Sequence, residues 1–87
     1  VTTLADADGK VRQLAAWALS EIKDQGAVNA LCRVLLSDPD VDVRRTAAEA
    51  LGEIRSAEAL AALKQALNDP EARVRAKAGW AISEIEG

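Results

Sequence analysis

The stretch DPDVDVRRTAAEALGEI, residues 38–54, decides the fold because its pattern is written three times along the chain. Its second part, VRRTAAEALGEI (43–54), aligns with VRQLAAWALSEI (11–22) and VRAKAGWAISEI (74–85) at offsets of 32 and 31 residues. Self-similarity at such a period marks a repeat array, in which each unit covers its apolar face by stacking on the next. Between the blocks lie AVNALCRVLLSDPD (27–40) and ALAALKQALNDPE (59–71), which match once one extra residue is allowed near Leu36 or Ser37. Two segment types therefore alternate.

In the first type, Val43, Ala47, Ala50, Leu51 and Ile54 fall within a stripe of roughly 100° when wound at about 100° per residue, the pattern of an amphipathic helix. The second type repeats that spacing with Val28, Leu31 and Leu35, and with Leu60, Leu63 and Leu67, over about a dozen residues each. Asp38-Pro39 and Asp69-Pro70 place a capping side chain beside a residue suited to a first helical turn, and Asp24 and Ser56 can cap the shorter helices. The connections are then very short, which makes consecutive helices antiparallel. The fold class that follows is all-α: an α-solenoid of stacked antiparallel helix pairs, about five helices in 87 residues.

Composition agrees. The chain is 49% hydrophobic and 29% charged, and Ala and Leu outnumber β-branched residues, which favours helix. A net charge of -3 removes the long-range attraction that drives phosphate-backbone binding, so nucleic acid is not expected as a partner. No apolar run approaches the ~20 residues that span a bilayer, so no membrane partner is expected either. A single cysteine cannot form an intrachain disulfide. These features point to a soluble, cytoplasmic chain.

The DPxxxVRxxAAxALxEI pattern, complete at 38–54, resembles the short HEAT-like repeats first associated with phycobilin lyases, and the resemblance covers nearly the whole chain. It implies that the leucine helix is the outer and the VR helix the inner member of each unit. The units then run 24–55 and 56–87, with 1–23 an incomplete first unit of a longer array. Leu4 precedes Val11 by seven residues, as Leu67 precedes Val74, so VTTLADAD reads as the last turn of an outer helix. Val11, Ala15, Leu19 and Ile22 then lack part of their cover, and such an apolar end favours homo-oligomers formed through the ends of the array.

Chemistry-bearing constellations are sparse. With no histidine and one cysteine, a zinc or haem site has no donors, and Asp38, Asp40 and Asp42 surround a helix start, where carboxylates cap. Cys32, Ser20 and Ser83 have no histidine to activate them. Among enzymes of the resembled fold, the iron hydroxylases use His-Glu pairs and certain DNA glycosylases a cationic groove with Trp and Asp; this chain carries neither arrangement. No GxGxxG or GxxxxGK[ST] occurs. The expectation is a non-enzyme with no catalytic residue, no metal and no cofactor.

Arg12, Arg44 and Arg75 recur in register, each four residues after an acid (Asp8, Asp40, Glu71), the favourable order on a helix. At about 76° from the core direction they lie where units meet and read as structural. The position shared by Trp17, Glu49 and Trp80 is instead rotated by about 140°, toward solvent. Basic residues, Arg45 among them, gather near the starts of the VR helices on this face, and Glu21, Glu53 and Glu84 form a column beside the indoles. The resemblance places this face on the concave side. Trp17, Glu21, Arg45, Glu49, Glu53, Trp80 and Glu84 thus read as a surface for a protein or peptide, aromatic anchors and arginines being enriched among binding hot spots. The expected function is a non-catalytic protein-interaction module; the alternatives are a lyase- or chaperone-like factor holding a tetrapyrrole or client protein, and an architectural spacer.

Overall fold

The computed structural model describes residues 8–87. Among them are five α-helices and no strand: α1 (Gly9–Ile22), α2 (Gln25–Ser37), α3 (Val41–Ile54), α4 (Leu60–Ala66) and α5 (Ala72–Glu86), with a 3-10 turn at Ala57–Ala59 leading into α4. The VR helices α1, α3 and α5 pack side by side in one layer, and α2 and α4 form the second. The body measures 34 × 28 × 14 Å along its principal axes, as two helix layers require. The all-α solenoid expected from the repeat is what forms. The reading of VTTLADAD concerns residues that lie mostly outside those described.

The core follows the stripe. Leu31, Leu35, Val43, Leu51, Leu63 and Val74 are fully buried, and alanines fill the positions where helices approach most closely: Ala16, Ala47, Ala48, Ala50, Ala78 and Ala81 are all at 0% exposure. Small residues let inner helices approach closely along their whole length, since the distance between axes is set by the side chains at the contact.

Local chemistry fixes the helix ends, in two places otherwise than the Asp-Pro pairs indicate. Asp24 caps α2 by accepting from the Ala27 N–H at 2.7 Å, and Ser56 caps the 3-10 turn through the Glu58 N–H at 3.3 Å. At α3, however, the cap is Asp40, which accepts from the Asp42 N–H at 2.8 Å; Pro39 stands ahead of the helix. The Asp38 carboxylate is held instead by the Asp40 N–H and by an arginine from the neighbouring unit. Glu71 occupies the cap of α5 with no side-chain hydrogen bond. The second leucine segment is shorter than its pattern, because its last turn tightens: the N–H groups of Leu67, Asn68 and Asp69 bond to carbonyls three residues back. α1 and α3 end on Lys23 and Arg55 in the left-handed region (φ 58° and 60°), a conformation glycine normally supplies and one that no residue of the repeat announces.

Candidate functional site

Two of the repeated arginines, Arg12 and Arg44, are the rivets of the array. Arg12 of α1 donates through Nε and Nη2 to both oxygens of Asp38, at 2.7 and 3.1 Å. Arg44 of α3 makes the same fork to Asp69, at 2.9 and 3.3 Å, and its Nη1 donates to the Asp38 carbonyl at 2.8 Å. Each arginine therefore grips the Asp-Pro corner of the following unit, the strong bidentate geometry of a guanidinium on a carboxylate. Both pairs are largely shielded from solvent. Burial pushes the Asp69 carboxyl up, but the Arg44 hydrogen bonds, the Glu71 N–H and the nearby guanidinium charges outweigh it, so its pKa lies below the usual carboxylate value. Arg12 and Arg44 have the inter-unit role read for the three arginines, whereas Arg75 donates to the Asp69 carbonyl of its own unit; for Arg44 the partner is a distant Asp69, while the nearby Asp40 carboxylate is engaged in capping. A second link between units, invisible in the spacing, runs from Gln13 Nε2 to the buried Thr46 hydroxyl at 3.0 Å.

With Arg12 and Arg44 committed, the solvent-facing side of the inner helices carries the remaining candidates. Trp17 and Trp80 are 38% and 36% exposed. Neither indole fills the core, yet Trp80 does not stand clear of the surface: it lies across the seam between α5 and α3. A Cβ at Gly52 would come within 2.5 Å of its Cζ3. The Lys77 ammonium sits 5.2 Å from the Trp80 ring centroid, within cation–π range. Glu49, the counterpart of the tryptophans in the middle unit, lies 3.9 Å from Arg45 and 4.0 Å from Lys77. Arg45 also approaches Asp42 at 3.9 Å, and Asp42 is met by Arg73 at 3.4 Å.

The glutamate column divides. Glu84 is joined to Arg55 at 2.9 Å across the ends of α5 and α3. Glu21 and Glu53 are exposed and make no ion pair with any described residue. The face thus offers two part-exposed indoles and two carboxylates without a counter-ion among the described residues, around a locally neutralised patch of Arg45, Glu49 and Lys77. Cys32 is half-buried against the core, and burial raises its thiol pKa. Among the described residues no group of three or more His, Cys, Asp or Glu could hold a metal ion, and the sequence contains no histidine to join one. With no histidine in the sequence, the His-Glu pairs of the iron hydroxylases have no counterpart in this chain.

The chain matches the family of HEAT repeats over residues 1–83. Comparison with curated proteins finds no match. Among solved structures, the chain is similar to human deoxyhypusine hydroxylase in complex with glycerol, with a TM-score of 0.87 and 31% identity over 95% of this chain. It spans 29% of that protein's length. This likeness corrects two expectations, that the chain is a non-enzyme and that its function is a non-catalytic interaction module: a stretch of an enzyme has this same fold at appreciable identity. The inference failed for a physical reason. A solenoid spreads its reactive groups over many units, and a segment without a catalytic constellation can still belong to a catalyst.

Proposed function

The chain belongs to the HEAT repeats, and from that premise and its likeness to a hydroxylase we propose that it is the substrate-holding section of an enzyme that modifies a protein. The inner face holds the polypeptide, and Glu21 and Glu53 take a basic side chain of that substrate. The hydroxylase it resembles acts, by its name, on deoxyhypusine. The single observation that carries the reading is the pairing of part-exposed Trp17 and Trp80 with exposed carboxylates that no described cation neutralises. Indoles supply apolar contact and a face for a cation, and carboxylates supply the counter-charge. Arg45 and Glu49, 3.9 Å apart, lie on α3 between the helices that carry the two indoles, and Glu84 is available by exchange with the exposed Arg55.

Within the family, the units are assigned to the short phycobilin-lyase-like subtype on their period and their DPxxxVR corner. A cytoplasmic setting fits the lone, unpaired cysteine.

The test is a titration of the chain with a lysine-bearing peptide and with the same peptide carrying norleucine, read by tryptophan fluorescence and calorimetry. The lysine peptide binds in a salt-dependent manner. Trp17→Ala and Trp80→Ala each weaken binding by roughly 1 to 4 kcal/mol with far-UV circular dichroism unchanged. In an enzyme carrying this segment the same substitutions raise KM and leave kcat in place. Equal affinity for the norleucine peptide, or affinity untouched by both tryptophan variants, overturns the assignment.

A further inference from the structure

The seam between α3 and α5 holds a cation that the other described seam between inner helices lacks. We propose that this cation, the Lys77 ammonium, is a built-in occupant of the place on the Trp80 ring that a basic side chain of the substrate takes by displacing it. The inference rests on the substrate-holding reading and adds to it the residue that controls entry of the charged group.

The register shows what is unusual. Gln13 and Thr46 meet across the α1–α3 seam, and their equivalents across the α3–α5 seam are Arg45 and Lys77. In the first seam the pair closes as a neutral hydrogen bond at 3.0 Å, and Thr46 is 1% exposed. In the second, two cations stand in those register positions. Neither has an acceptor to offer the other, so both turn to the same carboxylate, Glu49, at 3.9 and 4.0 Å. Those separations are well beyond the 2.7 and 2.9 Å of the Arg12 and Arg44 forks. Glu49 therefore holds Lys77 loosely and divides its charge between two partners.

The other partner of the lysine is the indole. Its ammonium stands 5.2 Å from the Trp80 ring centroid, within the range where the ring quadrupole attracts a cation. The ring is seated against Gly52 of α3, the residue before Glu53. Glu53 is exposed and has no ion pair with any described residue. It lies one helical turn, about 6 Å, beyond Glu49 along α3. The resting place of the ring on α3 thus falls between two carboxylates in the sequence, Glu49 with Lys77 beside it and Glu53 with no described cation.

Exchange of one cation for another follows from this layout. A substrate ammonium arriving over the ring finds Glu53 as its counter-charge. Lys77, on a flexible four-carbon stem, withdraws to Glu49, which it already approaches at 4.0 Å. Both side chains are partly exposed, at 31% and 25%, so no buried charge is stranded during the exchange. Until it is displaced, Lys77 competes with the substrate for the ring, and its removal strengthens binding.

Calorimetric titration of the whole chain with the lysine peptide and its norleucine counterpart tests this. Lys77→Met keeps most of the unbranched stem and a good helix former while removing the ammonium, and it tightens binding of the lysine peptide about two- to fivefold, the worth of a part-exposed cation–π contact. Arg73→Met removes an equal charge from the same face without touching the ring, and gives a smaller gain that salt screens out. In a Trp80→Ala background, Lys77→Met adds no more than Arg73→Met does. In the free wild type, the Lys77 ε-methylene protons resonate upfield of their ordinary position because of the ring current, and saturation with the lysine peptide returns them toward it. A wild type that prefers the lysine peptide, with Lys77→Met gaining no more than Arg73→Met or with the ε-methylene protons still upfield in the complex, overturns the role of Lys77 and leaves the substrate-holding reading standing. A preference for the lysine peptide that emerges only in Lys77→Met supports the occupant and overturns that reading for the wild-type chain. Equal affinity for the two peptides in both proteins overturns both.

Discussion

Replacing Gly52 by alanine asks whether the Trp80 indole is seated on α3. The substitution has two opposing consequences. Alanine is favoured over glycine inside a helix by about 1 kcal/mol. Against that, the added Cβ would stand 2.5 Å from Trp80 Cζ3 and 3.0 Å from both Cα and Cβ of Ala81. The indole can swing away, but the Ala81 Cα is backbone, so α3 and α5 must part by some tenths of an ångström. Overpacking of this kind costs typically about 1 to 3 kcal/mol. Gly79→Ala provides the control: it also lies within a helix, and its new Cβ meets nothing nearer than Leu67 at 4.0 Å. Gly79→Ala therefore stabilises by about 0.5 to 1 kcal/mol, and Gly52→Ala destabilises by up to about 2 kcal/mol. The propensity gain is common to both, so their difference of about 1 to 3 kcal/mol is the packing cost alone. Urea unfolding followed by far-UV circular dichroism, at concentrations where the chain is monomeric, measures it. Adding Trp80→Ala to the Gly52→Ala variant recovers part of the loss and leaves the Ala81 share. Equal stabilisation by both alanines would refute the placement of the indole across the seam.

Other consequences can be measured on the same material. Asp69→Asn weakens the fork from Arg44 and costs about 1 to 3 kcal/mol in urea unfolding; because its folded pKa is lowered, the wild-type contribution is present above the unfolded value near 3.8 and is lost as pH falls through the lower folded value, so the variant's stability varies less with pH below about 4. Thr46→Val removes the acceptor of Gln13 Nε2, which is near enough to solvent to be rehydrated, and lowers stability by only about 0.5 to 1.5 kcal/mol. Cys32, whose thiol pKa is raised above 9.0 by burial, is less than about 1% thiolate at neutral pH; alkylation by iodoacetamide is slow in the native chain and accelerates in urea, and a rate equal to that of a small free thiol would contradict its placement.

How much of this was legible in the sequence depends on whether a feature repeats. Helix number, the alternation of inner and outer segments and the buried alanines follow from the period, since every unit imposes the same packing on the same positions. What the period hides is any contact that spans units. The spacing of Arg44 from Asp40 suggested a pair along one helix, but a guanidinium at the margin reaches the next corner, and the fork to Asp69 across 25 residues wins because two parallel hydrogen bonds outweigh one exposed helical pairing. Gln13 to Thr46 was hidden for the same reason: neither residue recurs in the other units. Trp80 shows both sides. Its angle correctly kept it out of the core, while its rest on Gly52 could be read only by noticing that the middle unit has glycine where the others have serine.

The contrast between repeating and varying positions also explains why the functional reading went astray. Positions that repeat in all units hold the array together, and positions that differ are free to serve a particular ligand. Trp17, Glu49 and Trp80 belong to the second class, and under the proposed function they are the groups that recognise the substrate. Recognition and reaction are separable in a solenoid because the inner face continues from unit to unit, and a rigid face can hold a substrate several helices away from where it is transformed. The ladder of Arg12–Asp38 and Arg44–Asp69 matters to that division. By fixing the twist between neighbouring units it fixes the distance between Trp17 and Trp80, so breaking a rung away from the indoles alters how the two are spaced for the substrate proposed above.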